Sequence, residues 1–461
     1  MTEYISTPIS WGSDTLDNFI PKEFENQTKF LYPPEFSKKK LYEGTIEEAL
    51  ENVLQNPVGY DLGFDEYLKE KYIPGKPIIF AVDDYTRPNV HTKIILPIMI
   101  KKLLSMGVVK DDIRVLIAGG THRLPKEGEY EKILGDELYE EFKSNVSPHD
   151  CDNDAKMIGE SDNGTPMGFN KMIFDSSILI PVTDSELHYF AGVAGTVKEI
   201  CPGIASRQTV RINHPKMFDK ELGFVKGCRL GNADETNPVI SDIKNMVSKL
   251  KQQVNIFGID TIVTEGVIVY LNAGDLIALH EAGRDNIVPM RTVKVPKAGD
   301  LIITGLQSWG INLYQAGKGV HASWNGVRHD GKGEILVVAP CPDGVGNANY
   351  EKIMKESKDM SVQDALEYVL DNYCSETTFK IGNQKPVDLL RMIKTVGEGN
   401  LKIISDMDSK DLLDNYRMVP LKNPGDDTLE VLRNEVKSFM NKNPDAQIYI
   451  LDDPGIYIVV E

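Results

Sequence analysis

Residues 77–123 read PIIFAVDDYTRPNVHTKIILPIMIKKLLSMGVVKDDIRVLIAGGTHR, and this stretch decides the fold. Pro77 to Val82 is an unbroken apolar run rich in β-branched residues, as a strand buried on both faces requires. Asp83 to Pro88 is a polar loop, and Val90 to Leu104 carries apolar residues at helical spacing. Ile113 to Ala118 repeats the strand, Gly119-Gly-Thr-His-Arg123 is its loop, and the stretch after Pro125 is expected to be helical. Strand, crossover helix and second strand make a parallel unit. Both strands then deliver polar loops to one sheet edge, the edge at which open α/β sheets bind ligands.

Outward from this core, Ser177 to Pro181 reads as a third strand leading into a long segment from Glu186 to His214. Gly192, Gly195, Pro202 and Gly203 predict that this segment is a shaped loop rather than one regular element. Residues 285–298 read as a linker. Beyond it a second α/β set is expected, with strands beginning at Leu301, Ile335, Leu401 and Gln447 and helices over Asn312 to Gly319, Val387 to Val396 and Thr428 to Met440. The expected fold class is α/β: two α/β domains with mainly parallel sheets, residues 1–290 and 291–461, and an active-site cleft between them.

The chain has 461 residues, 41% hydrophobic and 26% charged, which is an ordinary globular composition and excludes disorder, collagen and a disulfide scaffold. With 51 basic and 69 acidic side chains the formal charge is −18, and no basic block exists to neutralise phosphates, so no nucleic-acid partner is expected. No stretch reaches the ~18–20 apolar residues of a membrane span, and Met1 to Ile20 lacks the basic start and apolar core of a leader. A cytoplasmic protein with no membrane partner is expected. The five cysteines, Cys151, Cys201, Cys228, Cys341 and Cys374, are scattered and never spaced as CxxC, which predicts reduced thiols and no zinc site.

No phosphate-cradling GxxxxGK[ST] loop, dinucleotide-binding GxGxxG, GxSxG elbow or HExxH helix occurs. The remaining chemistry lies in loops. His122 stands directly at a strand end, where the structural alternative is a turn cap. His188 lies in Leu187-His-Tyr-Phe-Ala-Gly192, a context equally suited to a core histidine, and His214 in Ile212-Asn-His-Pro215 is uninformative alone. Lys198 sits in a largely apolar, glycine-bounded loop, which suits either a nucleophile of lowered pKa or a snorkelling surface lysine. In Asp83-Asp-Tyr-Thr-Arg-Pro88 the arginine can clamp a carboxylate or phosphate, or simply pair with an aspartate. Gln315 and Lys318, three apart, share one helical face.

Taken together these residues resemble the lactate racemase family, whose enzymes use a nickel-pincer nucleotide. The resemblance runs from Asp84 to about Gly346. It consists of the DxTRP loop at Asp84 to Pro88, the histidine loop Gly119 to Arg123, His188 to Gly192, the run Lys198 to His214 with Pro202-Gly-Ile-Ala-Ser-Arg207, and Tyr314-Gln-x-x-Lys318. It implies an isomerase, a racemase or epimerase that inverts C2 of a 2-hydroxy acid by hydride transfer to the lysine-tethered cofactor. His122 and His188 then resemble the two acid/base histidines. Lys198 resembles the attachment point of the pyridinium-3-thioamide-5-thiocarboxylic acid mononucleotide, and His214 the protein ligand to Ni(II). Arg87, Gln315 and Lys318 resemble the groups that hold the substrate carboxylate. Asp84 and Arg87 belong to the cofactor loop, with Ser206 and Arg207 near the cofactor phosphate. Cofactor-maturation proteins are the implied partners, beside the small-molecule 2-hydroxy acid.

The departures bear on substrate. Asn89-Val-His91 follows the DxTRP loop where lactate-type members tend to have a further proline, and Trp309, His91 and His321 are candidates to line a pocket for something larger than lactate, such as an aldonate. Two other readings remain open from the residues: a pyridoxal-phosphate racemase with Lys198 as Schiff-base lysine, and a non-catalytic binding or carrier protein of the same fold.

Overall fold

Strand Ile78–Val82 is buried at every position, and it pairs in parallel with Ile113–Ile117 on one side and Ile178–Asp184 on the other. The structure, a computed structural model, describes residues 2–461. These three strands lie inside a six-stranded sheet ordered Val267–Gly274, Gly258–Thr264, Ile178–Asp184, Ile78–Val82, Ile113–Ile117, Val146–Pro148. Every pair is parallel except the first, an antiparallel ladder between Gly258–Thr264 and Val267–Gly274. Helix Val90–Ser105 turns Ile95, Leu96, Met99, Ile100 and Leu103 onto the sheet, against Ile78, Phe80, Val115 and Ile180. Each such side chain contributes about 1.5–3 kcal/mol through burial.

The second six-stranded sheet is parallel throughout, ordered Val419–Pro420, Leu401–Ile404, Glu334–Val338, Leu301–Thr304, Ile448–Leu451, Thr28–Leu31. The α/β class with mainly parallel sheets is therefore observed. The chain divides into two units. The first comprises Glu35–Met217 and Val225–Met290, and the second the residues up to Pro34, Phe218–Phe224 and Arg291–Glu461. Thus the sequence reading of 1–290 as one domain differs from the observed division at its N-terminal end and at Phe218–Phe224. Thr28–Leu31 ladders onto Ile448–Leu451 and so joins the second unit.

The expected linker at 285–298 is also corrected. Helix Leu276–Arg291 runs through it, with Leu279, Gly283, Ile287 and Met290 buried on one face, and strand Thr292–Val295 follows and pairs with Tyr457–Val460. The polar run Arg284-Asp-Asn286 lies inside this helix, whose apolar period holds to Met290 despite Pro289. Among the described residues no helix is long and apolar enough to cross a membrane, and all five cysteines are buried free thiols.

One loop of the first unit is held by close backbone approach. Leu187–His188 pairs with Gly192–Val193, and Gly192 has φ +79°, with Asn232 O only 2.0 Å from where a β-carbon would stand. Gly192→Ala should therefore cost about 1–2 kcal/mol from the left-handed conformation alone, and more from displacing Asn232. Calorimetry should show a melting temperature lower by about 4 °C or more. An unchanged value would contradict this loop geometry.

Candidate active site

Because Val82 is level with Ile117 and with Val182 in the parallel ladders, three strands end at the same sheet edge. There they deliver Asp83 and Asp84, the Gly119–Arg123 loop, and Asp184. Asp84 ties two of these loops together. Its Oδ1 accepts Thr86 N (3.0 Å) and Thr86 Oγ1 (2.5 Å), and its Oδ2 accepts His122 Nδ1 (2.7 Å). Burial pushes the Asp84 carboxyl up, but these donors outweigh it and hold it below the usual carboxylate range. With Nδ1–H donating to Asp84, the neutral His122 ring keeps its lone pair on Nε2. Its side chain is 41% exposed.

Asn89 closes the loop, donating from Nδ2 to Asp84 O (2.8 Å) and Arg87 O (3.0 Å). Its φ is +56°, a conformation closed to proline, which gives the departure at this position a structural reason. Arg87 lies half-buried among carboxylates. Glu186 foremost, then Asp83, Asp84 and Glu199, raise its already high pKa despite burial. Asp83 is pushed up to about 7 by burial, against the opposing pull of Arg87. His91 is enclosed behind it, Nε2 3.5 Å from Asp83 Oδ2, and burial takes it down to about 3. Burial thus favours the neutral His91, and its Nε2 has Thr92 Oγ1 as hydrogen-bond partner (3.2 Å).

Phe190 joins three residues of the expected site. Its ring centre lies 4.4 Å from that of His188, 5.5 Å from that of His214 and 5.4 Å from Lys198 Nζ. His188 Nδ1 accepts Ala191 N (3.2 Å), so in the neutral ring the proton sits on Nε2. His214 is fixed in the opposite tautomer. Asn213 donates from Nδ2 to Val239 O (3.1 Å) and Asp242 Oδ2 (2.9 Å), which turns its Oδ1 toward His214 Nδ1 (3.1 Å). Nδ1 is thus the donor and Nε2 carries the lone pair, the arrangement of a metal-binding imidazole with an oriented partner. Burial, aided by Lys198, lowers His214 to about 3, so it stays neutral.

Lys198 is half-buried, and burial first and Arg87 second bring its ammonium down to about 7. The turn before it is strained. Thr196 has φ +46°, rare for a β-branched residue, and is held by a 2.6 Å hydrogen bond between its hydroxyl and His280 Nδ1. Glu199 is buried with Oε1 lacking a hydrogen-bond partner, and its carboxyl is raised well above its ordinary value, chiefly by burial.

Ser206 accepts Thr209 N (3.1 Å) as the cap of helix Arg207–Asn213, and Arg207 pairs with Asp152 (2.7 Å). Together with Cys151, Gln208 and Arg211 they line a depression of about 350 Å³. In the second unit Asn312 caps helix Leu313–Trp324 by accepting Gln315 N (2.9 Å). Gln315 and Lys318 are half-buried on it, Lys318 Nζ 3.1 Å from the Trp309 ring centre. His321 is buried against Asp388 (3.0 Å). So His91 and His321 are each enclosed beside a carboxylate, and Trp309 lies under Lys318.

Sequence reasoning quoted Phe190, Asp83 and Glu186 inside motifs without giving them roles, and missed Asn213 although it immediately precedes His214. Asp260, buried and pushed up to about 7 by that burial while accepting Thr183 and Ser185 hydroxyls (2.7 Å each), had no local signal.

The family described as lactate racemase N-terminal domain matches residues 19–223. The chain is 29% identical over 421 residues to a lactate racemase of Thermoanaerobacterium thermosaccharolyticum, covering 90% of each. It is 28% identical over 420 residues to a lactate racemase of Lactiplantibacillus plantarum, covering 90% of this chain and 91% of that one. The structure of the lactate racemase apoprotein from T. thermosaccharolyticum superposes with TM-score 0.78 at 26% identity, covering 99% of this chain and all of that one. A crystal structure of a protein from Thermotoga maritima shares the fold at TM-score 0.61 and 16% identity, over 91% of this chain and all of that one.

The depressed Lys198 has a thermodynamic consequence. Its folded pKa lies below its unfolded value of about 10.5, so between these values only the unfolded chain holds the proton and stability rises with pH. Lys198→Met should therefore melt higher than the native chain at pH 6, and the gain should shrink as pH approaches 10. Equal gains at both pH values would show that the amine is not desolvated.

Proposed function

We propose that the chain is an isomerase of the lactate racemase family that inverts C2 of a 2-hydroxy acid, with His122 and His188 as the acid/base pair, a reading supported by its similarity to lactate racemases. The observation that carries this reading is the Phe190 cluster, in which one ring packs against His188, His214 and Lys198 together. Lactate is the substrate named for the relatives, and larger 2-hydroxy acids, aldonates included, fall within the proposal.

The donor chemistry fits a nickel-pincer nucleotide. Lys198, its pKa lowered to about 7 by burial, offers a substantial neutral fraction of amine near pH 7 for covalent attachment. His214 offers one neutral imidazole whose Nε2 would serve as the protein ligand to Ni(II), the remaining ligands being supplied by the cofactor. Among the described residues no cluster of three or more His, Cys, Asp or Glu side chains could hold a metal alone. Ser206 and Arg207 are the proposed phosphate contacts. When bound, the nucleotide supplies a hydride acceptor, so that the C2–H bond breaks without a carbanion.

The chain's own residues handle the proton and the carboxylate. His122 Nε2 takes the hydroxyl proton, and the resulting imidazolium is stabilised by Asp84 on the far side of the ring. His188 serves the hydroxyl of the opposite hand. Arg87, Gln315 and Lys318 hold the carboxylate while C2 turns between the two faces. The carboxylates around Arg87 keep it charged, and cofactor-maturation proteins supply the nucleotide.

Protein made together with cofactor-synthesis enzymes should carry a mass increase at Lys198, with nickel in proportion. Lys198→Ala should abolish the increase and His214→Ala should deplete nickel. His122→Ala and His188→Ala should keep nickel but lose about 10²–10⁴ in inversion rate. Intact-mass and nickel analysis of the four variants checks the assignment, and nickel loss in His122→Ala with retention in His214→Ala would reverse it.

Asp84→Asn should also lower kcat by about 10²-fold or more, by the loss of imidazolium stabilisation. A kcat within twofold of native would remove Asp84 from that role.

A further inference from the structure

The chain from Thr121 to Gly128, which carries His122, is neither helix nor strand, yet the residue after the histidine is fixed on several sides. Arg123 sets its guanidinium carbon 4.0 Å from the centre of the Tyr85 ring. Its two terminal nitrogens donate to the two oxygens of Glu129 at 2.7 Å each, a planar fork, and Nη1 also donates to Leu124 O (3.0 Å). Glu129 is held in turn by Lys126 N, which donates to its Oε2 (2.6 Å). Both partners of the guanidinium are anchored in the apolar core of the first unit. Tyr85 packs against that core directly, and Glu129 opens helix Glu129–Leu134, whose Ile133 and Leu134 are buried in it. Asp84 and Tyr85 thus meet His122 and Arg123 pairwise, two consecutive residues of one strand-end loop against two of the next.

We propose that Arg123 is a positioning residue for His122, holding the histidine loop against the Asp83–Pro88 loop through its stack on Tyr85 and its fork on Glu129. This rests on the assignment of His122 to proton transfer at the substrate hydroxyl. Exposed ion pairs contribute little to stability, and the Arg123 side chain is 44% exposed, so the consequence of this assembly lies in where the loop stands. The His122 ring is aligned by its hydrogen bond to Asp84 Oδ2, but one hydrogen bond leaves rotation about itself open, and the reach of Nε2 then follows the backbone. A reacting group displaced by about 1 Å can lose about 10²-fold in rate. Substrate carboxylate and nucleotide are held by other residues, so the signature of the clamp is a fall in kcat with little change in KM.

The test uses the cofactor-loaded enzyme with lactate. Arg123→Gln should lower kcat by about 10–100-fold, with KM, nickel content and the mass increase at Lys198 close to native. Tyr85→Leu, which removes the other side of the clamp and serves if Arg123→Gln does not fold, should act alike, and Tyr85→Phe, which keeps the ring, should restore most of the rate. A readout independent of turnover is the tautomer of His122 in the ¹⁵N-histidine-labelled, nucleotide-free chain, its signal assigned by its absence from His122→Ala. In the native chain the neutral ring should carry its proton on Nδ1, toward Asp84, and Arg123→Gln should shift part of the population to the Nε2–H form that free imidazole side chains prefer. A kcat within twofold of native, a rate loss matched by equal loss of nucleotide loading, or an unchanged tautomer overturns the proposal. If the loaded native enzyme inverts no 2-hydroxy acid, the racemase reading fails, and the tautomer alone then decides whether Arg123 positions His122.

Discussion

The Asp84 carboxylate is the joint on which the first unit's site depends. It is nearly excluded from water, so each of its oxygens requires donors, and the chain supplies them from two loops that meet only because their strands are parallel and level. Thr86 folds the loop back on itself, and His122 reaches across from the neighbouring strand end. The same contacts that keep Asp84 ionised fix the tautomer of His122. Local structure, electrostatics and acid/base capacity are therefore one arrangement. Removing the carboxylate would free the loop as well as the ring.

Around that joint the unit gathers more buried charge than folding alone would favour. Arg87 sits among Glu186, Asp83, Asp84 and Glu199, while Lys198 gives up much of its affinity for a proton. Isolated buried charges are costly, and the cluster persists because strongly paired strands hold its members at fixed positions. A half-buried amine of pKa near 7, a neutral histidine and a strained threonine turn form a site that trades stability for reactivity. The second unit shows the contrasting solution. The Asp388, Arg391 and His321 cluster is hydrogen-bonded throughout, and the Asp388 carboxyl, which burial would raise, is held well below its ordinary range by His321 and Arg391.

Much of the fold is legible locally because parallel strands buried on both faces leave continuous apolar runs. Ile78–Val82, Ile113–Ile117 and Leu301–Thr304 stand out for that reason. Thr28–Leu31 does not, since its place at a sheet edge depends on Ile448–Leu451, more than 400 residues away. Helix Leu276–Arg291 hides its apolar stripe behind Gly283, His280 and Pro289. In the site, the loops that carry chemistry are visible as motifs, but the partners that tune them are not. Nothing in the order Ile212-Asn213-His214 says that Asp242 and Val239 will turn the asparagine amide so that its oxygen faces the imidazole. The carboxylates around Arg87 come from three separate segments and become a cluster only when the sheet assembles.

The two histidines of the proposed pair are held by opposite means. In its neutral form the His122 ring donates from Nδ1 to a carboxylate and keeps its lone pair on Nε2, whereas a backbone N–H pointing at His188 Nδ1 places the proton of that neutral ring on Nε2. The resting site thus presents one base and one hydrogen donor. A racemase cannot express that asymmetry in kcat/KM, because enantiomers have equal free energy in water and the two values must agree at every pH. It must instead fall on kcat and KM separately, with one hand bound in the protonation state the free enzyme already has and the other requiring a proton shift after binding. A substrate with further stereocentres removes the equality of the two values but leaves their ratio constant with pH, so the unequal support of His122 and His188 shapes the path between the two hands without choosing between them at equilibrium.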